Sequence, residues 1–126
     1  SLHMVLWLQS RQWQEKRSAR GVRQGAVSLQ KWLLQYLKTE AEALQVSRYI
    51  RQPEDLAEQA PRLERMLIWL QAARQVTELV EVDRLFGALR ELYQLALQPL
   101  TTELLQARRE SLTTLQSGHA WKQLVR

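Results

Sequence analysis

The stretch RQWQEKRSARGVRQG, residues 11–25, sets Arg11, Lys16, Arg17, Arg20 and Arg23 against a single acid, Glu15. Charges of one sign at this density repel one another unless they are well solvated or meet an anion. On a helix, Lys16, Arg20 and Arg23 follow the spacing i, i+4, i+7 and form one stripe, with Arg17 beside it. A stripe of this kind can track a phosphate backbone. No acid follows Glu15 until Glu40, and Lys31 and Lys38 fall in the same interval. Trp13 precedes Arg17 by four residues, so a guanidinium can stack over its ring. Arg11, Lys16, Arg17, Arg20, Arg23 and Lys31 are therefore the candidate anion-binding or nucleic-acid-binding residues, and an anionic membrane surface would attract the same charges.

Other reactive chemistry is sparse. The chain has no cysteine, which excludes disulfides and thiolate metal sites. His119 is the one histidine beyond the first four residues, and no Glu-x-x-His pair of the di-iron bundle type occurs. Asp55/Glu58 and Glu78/Glu81 are carboxylate pairs one helical turn apart, a spacing that solvated helix faces share with acid–base pairs. Gly21-Val22-Arg23-Gln24-Gly25 lacks the lysine and hydroxyl of a phosphate loop. No catalytic residue, metal, cofactor or small-molecule substrate is expected.

Whatever binds must be carried by helices. Apolar residues recur at three and four along nearly the whole chain, and no run alternates at period two long enough for a strand. The expectation is an all-α, up-down four-helix bundle with helices over about 5–18, 26–51, 62–82 and 84–117, the last kinked at Pro99. Gly21 and Gly25 mark a turn or bend before the second helix. That helix carries the seam Ala26, Leu29, Leu33, Tyr36/Leu37, Ala41 and Leu44, and Pro53 ends it. The third runs Leu63, Met66/Leu67, Leu70, Ala73, Val76, close to a heptad. Asp83 is placed to cap the fourth, in which Leu104, Ala107, Ser111 and Leu115 continue the apolar face until Gly118. The boundary at 81–83 lacks glycine and proline, so a continuous rod through helices three and four is the alternative there.

At 126 residues, 45% apolar and 25% charged, the chain has the size and composition of one globular domain. Ser1-Leu2-His3-Met4 reads as a cloning scar, leaving 5–126 as a single helical-bundle domain. The apolar stretch Met4–Leu8 is far short of the roughly 20 residues needed to cross a bilayer. Net charge is +5, of which residues 11–25 carry +4. Positive charge beside an apolar stretch favours the cytoplasmic side.

Helices two and three carry more apolar face than a thin bundle covers, with Trp32, Ile68, Trp69 and Leu79 off the main seams. These four are the candidate association surface. The expected function is non-enzymatic association: oligomerisation, or binding a protein partner within a larger assembly, including the sensory or juxtamembrane part of a membrane protein. The alternative is a small basic subunit of a nucleoprotein complex that contacts nucleic-acid backbone through residues 11–38.

Overall fold

A computed structural model describes residues 22–76 and 80–125. They are all-α, with no strand among them. The helices are α1 (Val22–Leu44), α2 (Val46–Arg51), a 3-10 segment Pro53–Gln59, α3 (Ala60–Val76), α4 (Val80–Leu97), α5 (Thr102–Ser117) and α6 (His119–Leu124). The expected helix over 5–18 lies outside the described residues. The described residues nevertheless hold four long helices, because the expected fourth is two.

The periodicity that predicts the helices also selects their buried faces. Leu33, Leu37, Ala41 and Leu44 of α1 face Leu63, Met66, Leu70 and Ala73 of α3 and Leu85, Leu89, Leu92 and Ala96 of α4 in one core. Each leucine or methionine among them contributes about 1.5–3 kcal/mol when removed from water, and each alanine less. α3 and α4 pack along one another, as do α4 and α5. The first pairing excludes a continuous rod through the third and fourth elements. The second corrects the kink at Pro99: Gln98–Thr101 is a true reversal, and the Thr101 hydroxyl caps α5 by accepting from the Leu104 amide at 3.1 Å.

Three further boundaries differ from the periodicity. Gly25 lies inside α1, which runs without interruption from Val22; packing of the later turns outweighs a glycine cost of about 1 kcal/mol. The helix expected to run to Arg51 breaks at Gln45, which adopts left-handed φ 52° and ψ 59°. Its carbonyl accepts from the Arg48 amide at 3.0 Å, so this residue ends α1 and starts α2, redirecting the chain so that Val46 and Tyr49 reach the core. Asp83 is no cap, since α4 is already helical from Val80; it pairs with Arg74 of α3 at 2.7 Å. The Arg74 guanidinium also lies 4.4 Å from the Phe86 ring centre, tying the end of α3 to the start of α4.

Beyond Gly118 the chain forms α6 and buries Trp121 and Leu124 against the bundle. Among the described residues no helix is long and apolar enough to cross a membrane.

Candidate functional site

α1 is the organising element of the site. Its core face, Leu33 and Leu37, forms one wall of an open groove whose other walls come from α4 (Val82, Leu85) and α6 (Leu124), with Leu70 of α3 at the floor. The groove has a volume of about 620 Å³. Along its edge, Lys31, Leu34 and Lys38 stand at i, i+3 and i+7 on α1 and therefore form one ridge. Leu34 is 45% exposed, one of few large apolar side chains so open to solvent. Among the described residues, the charged side chains that line the groove are Lys31 and Lys38.

On the adjacent face at the same level, α1 meets α3 through an aromatic cluster. The Trp32 and Trp69 rings meet edge to face at 4.3 Å between centres, and Tyr36 lies 4.9 Å from Trp69. Trp69 is buried, and among the described residues its Nε1–H has no partner in good hydrogen-bond geometry. The nearby Tyr36 hydroxyl is close enough to be affected by Trp69 without accepting from it in good alignment. Burial first, and then the charge of Glu40, raise the Tyr36 phenol above its ordinary pKa, while Trp69 and Arg65 act in the opposite sense.

Glu40 receives two guanidinium groups from α3, Arg62 Nη1 at 3.3 Å and Arg65 Nη2 at 3.5 Å. Arg62 Nε also donates to Gln59 Oε1 at 3.1 Å, and Gln59 Nε2 donates to the Tyr49 hydroxyl at 2.6 Å. The network joins α1, α2, the 3-10 segment and α3 and fixes the angle at which α1 leaves the bundle.

Of the residues expected to bind anions, Lys31 lies on the groove edge. Arg23 lies in the first turn of α1, whereas Arg11, Lys16, Arg17 and Arg20 fall outside the described residues. Of the four expected association residues, three are among the described residues. Trp69 belongs to the core, because α1 lays Trp32 and Tyr36 over it. Trp32 and Ile68 are half-buried, and Leu79 lies outside the described residues. The groove instead uses Leu34, which periodicity places beside the seam residue Leu33.

Arg108 is the residue that sequence reasoning missed. It is 2% exposed, the one buried charged residue among those described. Its guanidinium donates to four backbone carbonyls: Leu95 at 3.1 Å, Ala96 at 3.4 Å, Gln98 at 3.0 Å and Pro53 at 3.3 Å. Three of these belong to the end of α4 and the turn after it, where carbonyls lack helical partners and negative dipole accumulates. Burial lowers the pKa of the guanidinium, yet the planar fork remains charged and suits several carbonyls at once. The signal was the α5 register itself: Leu104, Leu112 and Leu115 leave position 108 pointing inward.

His119 is exposed at the start of α6, and Glu58 of the Asp55/Glu58 pair is exposed on the 3-10 segment. No group of three or more His, Cys, Asp or Glu that could hold a metal stands among the described residues. Compared with protein-family models, with curated proteins and with solved structures, the chain finds no match in any of the three.

Proposed function

We propose that this chain is a non-enzymatic association module, a helical bundle that docks a protein partner in the groove between α1, α4 and α6. The observation that carries this reading is the groove itself: an apolar floor that the described residues leave open beside Leu34, which is exposed at 45% on its edge. An exposed leucine alone is ordinary; one that borders an uncovered apolar concavity offers contact area at little desolvation cost. The polar network of Glu40, Arg62 and Arg65 lies on the neighbouring face of α1 and supports the wall from behind, so the groove is held by packed helices.

Photo-crosslinking tests the reading on the intact chain. The replacement Leu34→benzoylphenylalanine in cells is expected to give adducts of defined mass, and the same replacement at exposed Gln116 on α5 is expected to give none. Equal adducts at both positions, or none at either, would overturn it.

A further inference from the structure

α6 separates two apolar recesses. On one side lies the groove, with Ala120, Gln123 and Leu124 in its lining; on the other is a smaller cavity of about 250 Å³ between α4, α5 and α6. Ala120 and Leu85 line both, so the helix is a partition laid across one apolar cleft. Leu33 and Leu37 of α1 lie in the groove half, Ala88 of α4 and Leu115 of α5 in the cavity half.

The partition is lightly held. Its six residues fall well short of the roughly 12–15 that an isolated helix needs, so docking keeps it helical. Trp121 and Leu124 are its buried side chains, and it packs on α1, α4 and α5. No polar tie reinforces them: among the described residues, no side chain of α6 forms a hydrogen bond or an ion pair, and its N-cap, Gly118, supplies no side-chain acceptor. Gly118 is also the single residue between α5 and α6. Its φ of −68° and ψ of 144° turn the chain out of helix, and a Cβ there would stand 3.3 Å from the Leu115 carbonyl oxygen, pressing on the end of α5. A segment with few buried side chains and no side-chain ties opens by itself, below the free energy of global unfolding.

We infer that α6 is a displaceable strap: it swings away at Gly118 while the rest of the bundle stays folded, and its release joins the groove and the cavity into one apolar cleft between α1, α4 and α5. Release needs no partner in the groove, so a failure here leaves the docking reading untouched.

The chain has no cysteine, so one introduced thiol reports on one place. Leu115 is buried and lines the cavity with Trp121, whereas Leu89 is buried and lines neither recess. With an aromatic disulfide reagent on the intact chain, Leu115→Cys is expected to react about a hundredfold or more faster than Leu89→Cys, at a rate nearly independent of low urea because local opening exposes little surface. Trp121→Ala, added to each, should speed the first thiol about tenfold or more and leave the second nearly unchanged. Equal rates for the two thiols, rising together with urea and with Trp121→Ala, would mean that α6 leaves only when the whole bundle unfolds, and would overturn the strap. Hydrogen exchange on the unsubstituted chain decides the matter where a cysteine variant does not fold. The Lys122 amide, which donates to the Gly118 carbonyl at 3.0 Å, is expected to exchange about a hundredfold or more faster than the Leu89 and Leu92 amides; equal protection would overturn the strap as well.

Discussion

At the scale of single residues, the molecule concentrates its unusual chemistry at two points. Arg108 spreads one charge over four carbonyl oxygens and has no carboxylate to neutralise it. Arg108→Met keeps most of the volume and leaves the carbonyls at the end of α4 without a donor. Urea denaturation should show a loss of about 3 kcal/mol at unchanged m. Arg108→Lys should recover only part, since a single ammonium cannot span acceptors arranged for a fork. Tyr36 is the second point. Its phenol holds its proton more tightly folded than unfolded, so its contribution is fully present below the free phenol's pKa of about 10 and is lost as pH rises through the folded value. A Tyr36→Phe variant should therefore lose stability less steeply above pH ~10. Glu40→Gln should move the Tyr36 titration, followed by phenolate absorbance, back towards the ordinary value. Neither residue's role was legible in the sequence. An arginine between leucines reads as a surface residue, and its acceptors are backbone atoms up to 55 positions away; Tyr36 reads as seam, and although Glu40 stands one turn on at i+4, only folding brings Trp69 and Arg65 to it.

At the scale of elements, helix existence was far more legible than helix ends. The seams of α1, α3 and α4 follow apolar spacing that packing then reinforces, so Leu33, Leu37, Ala41, Leu63, Met66 and Leu70 fall where the pattern puts them. The ends were decided by forces the pattern does not record. Gln45 breaks a helix without help from glycine or proline, because the left-handed step lets Tyr49 reach both the core and Gln59. That step costs a residue with a Cβ about 1–2 kcal/mol. Gln45→Gly should raise stability by about 0.5–1 kcal/mol once the extra freedom of glycine in the unfolded chain is deducted, and Gln45→Val should lower it by more than 1 kcal/mol; thermal denaturation of the pair checks both signs. Glycine was misleading in the other direction only at Gly25, which sits within a helix; Gly118 does end α5, and α6, whose Trp121 seals the bundle, follows it directly. The groove was legible only in its parts. Lys31 could be singled out by charge, but Leu34 gains meaning only when α4 and α6 arrive beside it.

At the scale of the whole molecule, Arg108 binds together parts of the chain that no run of sequence connects: the 3-10 segment through Pro53, the end of α4 and the turn into α5. A guanidinium gives up its water only when all its carbonyls are in place, and the Pro53 oxygen is in place only after a loop of some fifty residues has closed. The full set of its bonds is therefore expected to form late, after the barrier to folding has been crossed. In a denaturant chevron, Arg108→Met should leave the refolding limb nearly where it was and raise the unfolding rate about a hundredfold. On that expectation this one side chain has little influence on how quickly the native state is reached and instead sets how long that state lasts.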